Sequence, residues 1–153
     1  MAKASGTLHH TELFFGILLP YHLHSQQKEI VETPTDDLSS ATLTNIDRDF
    51  LRRMKQLVEE NLGNSDFSVQ DVTTALGVSR SLLHVKMKSL VNMSMGDYIR
   101  HQRLERACQM LTQGYNVSET AYATGFSDPN YFSRTFKKYI GVNPSEYVGQ
   151  HKN

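Results

Sequence analysis

Residues 125–141 read GFSDPNYFSRTFKKYIG, a stretch that combines turn residues, aromatic residues and basic residues. Gly125 can adopt a positive φ, which lets the chain turn sharply out of a preceding helix. Ser127 stands where the N-cap of a next helix is expected, and Pro129 suits a first helical turn. The stretch therefore predicts the end of one helix, a short turn and the start of another.

The helix that begins near Pro129 is predicted to be amphipathic. Its apolar side chains recur every four residues and are expected to face the core: Phe132, Phe136 and Ile140. Its opposite face is polar and basic: Asn130, Ser133, Arg134 and Lys137, with Lys138 at the flank. Such a helix can offer its front to an anion, although an ordinary solvated face has the same pattern.

The same pattern occurs earlier in the chain, so one supersecondary unit is predicted twice. Residues 67–99 and 115–148 align with matched residues 48 apart before the turn and 49 apart after it. The matched pairs are Val69 with Val117, Ala75 with Ala123, Gly77 with Gly125, Ser79 with Ser127, Leu83 with Phe132, Met87 with Phe136, Lys88 with Lys137 and Tyr98 with Tyr147. Each unit predicts two short helices joined by a turn near a glycine, the signature of a helix-turn-helix.

The second helix of the first unit has the same two faces. Its inner face is predicted to hold Leu83, Met87 and either Leu90 or Val91. Its outer face is predicted to hold Arg80, Ser81, His84, Val85 and Lys88. His84 could hydrogen-bond a ligand such as a nucleic-acid base or be an ordinary solvated histidine, and the residues alone leave both open.

Capping residues mark the predicted helix ends. A first helix is expected over residues 47–62, closed by Gly63. Ser79 suits an N-cap. Polar residues followed three positions later by an acid predict four capping boxes: Ser68 with Asp71, Ser94 with Asp97, Asn116 with Glu119 and Asn143 with Glu146.

A long helix is predicted between the two units, from Met95 to Gln113. It would span about 28 Å at 1.5 Å per residue. Successive major grooves on one face of DNA lie roughly 34 Å apart, so a rigid spacer of this length could hold two helices in neighbouring grooves. Three arginines decorate this helix and could contact phosphate or pair with Glu105 and other acids: Arg100, Arg103 and Arg106.

Charge divides the chain into two parts, although its formal net charge is zero. Residues 47–153 carry 14 Lys and Arg against 11 Asp and Glu, a net of +3, and residues 1–46 carry the other 2 basic and 5 acidic groups, a net of −3. Residues 1–46 are predicted to be a leader and linker, largely irregular, and compatible with an expression-derived segment or a misassigned start. The apolar run 13–19 is too short to span a bilayer, so no membrane association is expected.

No pattern in the sequence points to catalysis, a metal or a cofactor, and an enzyme is not expected. Paired carboxylates, a triad-like grouping and a phosphate-cradling glycine loop are not found. Cys108 lies in an apolar helical pattern and is predicted to be a buried hydrophobe in a reducing compartment. Four histidines near the start lack the ligand spacing of a metal site: His9, His10, His22 and His24.

Residues 121–147 closely resemble the signature of AraC/XylS-type transcription regulators. The match includes the run Asn-Tyr-Phe-Ser-Arg at 130–134 and Phe-Lys-Lys at 136–138. Residues 68–111 resemble the first unit and linker helix of that family. The resemblance implies an all-α fold of seven helices, a tandem, homeodomain-like helix-turn-helix over residues 47–153. Its parts would be unit one at 47–93, the linker helix at 94–113 and unit two at 115–150. The signature also includes Gly125, Phe126, Gly141, Pro144 and Tyr147.

The resemblance implies that the third and sixth helices read bases in double-stranded DNA. The base-reading positions that it carries over are Arg80, Ser81, His84, Val85, Pro129, Asn130, Ser133 and Arg134. The phosphate-contacting positions are Lys88, Lys137 and Lys138. Val85 departs from the family pattern, because many relatives have a basic or polar residue there. Valine offers only apolar contact, for instance with a thymine methyl group.

The resemblance also implies sequence-specific DNA binding that regulates transcription in the bacterial cytoplasm, at the nucleoid, with RNA polymerase as a partner. The chain looks most like the DNA-binding output of a hybrid two-component regulator, with dimerisation through other domains. A stand-alone small activator is the competing interpretation. An alternative class is a helical protein-interaction module that has lost DNA binding, but the retained Arg134, Lys137 and Lys138 argue against it.

Overall fold

The computed structural model describes residues 37–152, with side chains from residue 45 onward. This part of the chain forms seven helices and no strand, as the all-α prediction requires. Predictions about residues 1–36, including the histidine cluster and the apolar run, lie outside it. The helices are α1 (Asp37–Glu60), α2 (Val69–Leu76), α3 (Arg80–Leu90), α4 (Met95–Thr112), α5 (Val117–Ala123), α6 (Pro129–Ile140) and α7 (Pro144–His151). None of them is long and apolar enough to cross a membrane.

The first helix is longer than predicted. It begins at Asp37, whereas the sequence predicted a linker up to residue 46. The polar composition of residues 37–46 predicted irregular chain, but a helix already anchored by packing further along gains one hydrogen bond for each residue that it adds. The helix ends at Glu60, and Gly63 is not among the glycines with a positive φ, so its predicted role as a left-handed cap is wrong.

The predicted N-caps are present at five helices. Ser68 and Asp71 form a complete capping box at α2, and the Ser79 hydroxyl accepts a hydrogen bond from the Leu82 N–H at α3. Ser94, Asn116 and Asn143 also cap their helices, but the boxes predicted there are not reciprocal. The acids at these three helices bind other groups instead: Asp97 pairs with Arg100, Glu119 with the Asn116 amide and Glu146 with the Asn143 amide.

Two separate hydrophobic cores lie along the chain, one in each unit. The first is built from α1, α2, α3 and the start of α4 and includes Met54, Val58, Leu83, Met87 and Tyr98. The second is built from the end of α4 with α5, α6 and α7 and includes Leu104, Leu111, Phe132, Phe136 and Tyr147. Because α4 contributes to both cores, it fixes the position of one unit relative to the other.

The linker helix α4 has the predicted form. It runs from Met95 to Thr112 with Gln113 as its C-cap, within one residue of the prediction. Its 18 residues span about 27 Å at 1.5 Å per residue. A helix buried at both ends is a rigid spacer, so the separation of the two units is set by the length of α4.

Candidate nucleic-acid interface

The inner face of α3 packs into the core of the first unit. Gly77 adopts a left-handed conformation with a φ of 67° and turns the chain between α2 and α3. Leu83, Met87 and Val91 are almost fully buried, so Val91 rather than Leu90 completes the predicted inner face, with Leu90 only partly buried. This packing leaves the opposite side of α3 to solvent.

All of the predicted outer-face residues of α3 are exposed. The side chains concerned are Arg80, Ser81, His84, Val85 and Lys88. Val85 is 60% exposed and Leu82, three residues before it, is 43% exposed, so two large aliphatic side chains lie side by side on this face. The sequence analysis did not select Leu82. The repeat could have found it, since the 49-residue offset aligns Leu82 with Tyr131, which is 51% exposed.

The second helix of the second unit, α6, begins one residue later than predicted. Asp128, not Ser127, is the N-cap of α6, and its carboxylate accepts a hydrogen bond from the Asn130 N–H at 2.9 Å. The prediction of Ser127 as the cap is therefore wrong. The reason is the extra residue in the second copy, which falls in this turn and moves the cap from the equivalent of Ser79 to the next position.

A chain of aromatic rings anchors the back of α6. Phe126 packs edge-on against Phe132 with ring centroids 5.0 Å apart. Phe132 is 5.7 Å from Phe136, which in turn packs edge-on against Tyr147 at 5.5 Å. Phe132 and Phe136 are fully buried and Ile140 nearly so, as predicted. These contacts fix the rotation of α6 about its axis and thereby decide which side chains face outward.

The outer face of α6 is the most basic surface of the second unit. Asn130, Arg134, Lys137 and Lys138 are exposed, while Pro129 and Ser133 are half-buried. Within residues 45–152, neither Arg134 nor Lys137 pairs with an acidic side chain. The Lys138 ammonium lies 5.4 Å from the centre of the Tyr139 ring. The positive charges of this face are therefore available to an anionic ligand.

The three arginines of α4 pair within the protein. Arg100 binds Asp97, Arg106 binds Glu59 of α1, and the Arg103 guanidinium donates to the Asn64 carbonyl at 2.9 Å. None of these pairs involves Glu105, which the sequence analysis considered. Burial pushes the pKa of the Asp97 carboxyl upward, but hydrogen bonds from Arg100 and Ser94 outweigh it and hold that pKa below its ordinary value. Arg103 and Arg106 thus tie α4 to the first unit.

Cys108 is a buried hydrophobe, as predicted. Its side chain belongs to the second core, and burial raises the pKa of the thiol to about 12, despite a hydrogen bond with Tyr147 that acts in the opposite direction. A thiol with this pKa carries almost no thiolate at neutral pH, which is the reactive form. In the described part of the chain, no group of three or more His, Cys, Asp or Glu side chains could hold a metal ion.

The two units define the class of the protein. Each presents the second helix of a helix-turn-helix outward, α3 in the first unit and α6 in the second, and we call these the reading helices. One rigid helix, α4, links them. This is the architecture of a tandem helix-turn-helix DNA-binding domain.

The chain belongs to the AraC-type helix-turn-helix family. The family profile for a helix-turn-helix domain matches residues 72–150. A transcriptional regulator from Chromobacterium violaceum, described as an AraC-type DNA-binding domain-containing protein, is 28% identical with a TM-score of 0.63, over 69% of this chain and 95% of that one. The C-terminal domain of the two-component response regulator yesN from Fusobacterium nucleatum is 30% identical with a TM-score of 0.59, over 62% of this chain and 93% of that one.

Curated relatives are mostly longer proteins. A histidine kinase from Formosa agariphila is 37% identical over 114 residues, which are 74% of this chain and 8% of the kinase. The Msm operon regulatory protein from Streptococcus mutans is 30% identical over 68% of this chain and 37% of its own length. The chain therefore spans well under two thirds of these relatives. The family profile places a helix-turn-helix domain in the matched part of the chain, and one of these relatives is an operon regulatory protein.

Proposed function

We propose that this chain binds double-stranded DNA at a specific sequence and regulates transcription, with α3 and α6 in successive major grooves. The observation that carries the proposal is the pair of equivalent outward faces, each backed by its own core and joined through α4, a helix about 27 Å long. Because its ligand is chromosomal DNA, the protein would act at the nucleoid in the cytoplasm.

This proposal distinguishes contacts to base edges from contacts to phosphate groups. Side chains near the middle of each outer face read base edges, and lysines at the flanks bind phosphate. The base-reading set is Arg80, Ser81, His84, Val85, Pro129, Asn130, Ser133 and Arg134. The phosphate-binding set is Lys88, Lys137 and Lys138.

The larger assembly is also a proposal. The matches to a histidine kinase and to a two-component response regulator support a role as the DNA-binding output of a hybrid two-component regulator. In that setting other domains would bring two copies together, and RNA polymerase would be the partner through which transcription changes. The competing proposal is a protein-interaction module without DNA binding. Arg134 and Lys137 argue against it, because within residues 45–152 neither charge pairs with an acidic side chain.

Selection of bound duplexes from a random DNA pool with the full chain tests the function. At about 0.1 M salt, where exposed charges farther apart than roughly 10 Å are screened, we expect two enriched base clusters about 10 bp apart. A single cluster would mean that one unit acts only on the backbone. Selection that enriches no sequence would contradict specific binding by this chain.

The apolar side chains on α3 predict thymine in the half of the site that the first unit reads. Val85 and Leu82 can pack against the C5 methyl group of thymine but cannot hydrogen-bond a base edge. Replacing those thymines with deoxyuridine removes only the methyl group. We expect affinity to fall about threefold to fivefold per methyl, from roughly 0.8 kcal/mol per buried carbon.

The deoxyuridine test has an internal control. Val85→Ala should bind thymine-containing and deoxyuridine-containing duplexes almost equally, whereas Arg134→Ala should keep the full sensitivity of the wild type. Equal sensitivity of the wild type and Val85→Ala would rule out methyl recognition by this side chain.

A further inference from the structure

An open cavity of about 180 Å³ lies where the two units meet against α4. Its walls come from the loop after α1, from α4, and from the turn and first residues of α6. We call it the junction pocket. The residues that line it are Ser65, Arg100, Arg103, Gly125, Phe126, Ser127 and Tyr131.

The polar groups of the junction pocket suit an anion with several oxygen atoms. Two arginines, two serines and one tyrosine are among its lining residues, and none of the described residues that line it is acidic. The internal partners of Arg100 and Arg103 do not use all five N–H donors of either guanidinium. The buried Nε of Arg103 has no hydrogen-bond partner among the described residues. Guanidinium donors match the geometry of phosphate oxygens.

The pocket lies along one flank of the reading helix α6. Tyr131 and Lys138 are seven residues apart, which is about two turns, so they lie on the same flank. The Arg100 guanidinium is 4.8 Å from the Tyr139 ring, and the Lys138 ammonium is 5.4 Å from the same ring. A helix in the major groove has a phosphate backbone along each flank. The junction pocket and Lys138 would therefore meet the same strand.

We propose that the junction pocket binds one backbone phosphate of the DNA strand that passes between the two reading helices. The proposal rests on the DNA-binding function above and adds a site to it. Residues of both units and of α4 would jointly bind this phosphate. The contact would carry no sequence information, but it would fix the register of α3 and α6 on the duplex.

Neutral backbone substitution tests the proposal. Starting from the selected duplex, each phosphate between the two base clusters is replaced in turn by a methylphosphonate, which removes one charge and leaves the bases unchanged. We expect one position at which the full chain loses about tenfold in affinity, the loss typical of a hydrogen bond to a charged group. If no position in this interval is sensitive, the pocket does not bind DNA, although DNA binding itself stands.

Two variants link the sensitive phosphate to the pocket. Arg100→Gln removes one guanidinium, and Tyr131→Phe removes one hydroxyl group while it keeps the ring. Both should bind the unmodified duplex more weakly and lose most of the sensitivity at that one phosphate. Arg106→Gln is the matched control, because Arg106 lies on the same helix, pairs with an acid and does not line the pocket. It should keep the full tenfold effect. Unchanged sensitivity in both pocket variants would overturn the proposal.

Titration with inorganic phosphate tests whether the junction pocket binds an anion, and this test does not depend on DNA binding by the chain. Its titration into the wild type should shift the backbone amide NMR signals of Ser127 and Tyr131, and the shifts should vanish in Arg100→Gln. If phosphate binds there while the chain selects no duplex, both the DNA function and the strand as the source of phosphate are wrong. If phosphate causes no such shift and the methylphosphonates have no effect, the pocket is not an anion site.

Discussion

Replacing Gly125 with alanine is expected to lower the free energy of unfolding by about 2–5 kcal/mol. The residue has a φ of 84°, where an L side chain costs roughly 1–2 kcal/mol. Its added Cβ would also lie 2.5 Å from the Leu62 carbonyl oxygen and 2.7 Å from Nε of Arg103. Neither can move easily, because the first is backbone and Arg103 is bound to the Asn64 carbonyl. Overpacking of this kind costs typically 1–3 kcal/mol more.

Gly77→Ala is the matched control for this prediction. Gly77 occupies the same position in the first unit and has a φ of 67°, but its added Cβ would meet no atom within 4 Å. Its free energy of unfolding should fall only by the cost of placing an L side chain at a positive φ, about 1–2 kcal/mol. Urea denaturation of the two variants measures the difference. Equal losses would show that the close approach of the added methyl group to the Leu62 carbonyl and to Arg103 costs no stability.

Arg134→Ala is expected to have the largest effect on DNA recognition. Arg134 is exposed, unpaired within the described residues and close to the centre of the outer face of α6. A bidentate arginine contact to guanine is the commonest specific contact in the major groove. Its loss should cost about 1–3 kcal/mol on the selected site and relax the base preference at one step. Binding to random duplexes should change much less.

Lys138→Ala separates phosphate binding from base reading. Its ammonium lies at the flank of α6, so its removal should weaken binding to all duplexes alike and lower the slope of log affinity against log salt by about one. Titrations of both variants on the selected and random duplexes, at several salt concentrations, give these quantities. If both variants lose the same amount on both kinds of duplex, the division of roles between them is wrong.

Most of the fold could be predicted because its signals are local. The four-residue spacing of Phe132 and Phe136 marks a buried helix face whatever that face packs against. The internal repeat adds a second copy of the capping signals, which is why the first residues of α3 and α4 could be placed. The beginning of α1 was not predicted, because six of the ten residues 37–46 are Asp, Ser, Thr or Asn, which have low helix propensity.

The candidate site was predicted less completely than the fold. The repeat and the family resemblance selected the outer faces of α3 and α6, and every side chain selected there is exposed or half-buried. Leu82 was missed because an aliphatic residue is expected inside. Ser127 was selected as a cap because it aligns with Ser79 at an offset of 48 residues. The actual cap, Asp128, lies after the extra residue of the second turn, where the offset is 49.

The sequence by itself determined that this chain has two helix-turn-helix units, where each glycine turn lies and which face of each reading helix is polar. These properties depend on residues within a few turns of one another. The partners of Arg103 and Arg106, and the position of Ser65 in one pocket with Tyr131, follow only from the tertiary structure. Contacts between residues some 40 to 70 positions apart depend on how two cores share α4, and no local pattern encodes that arrangement.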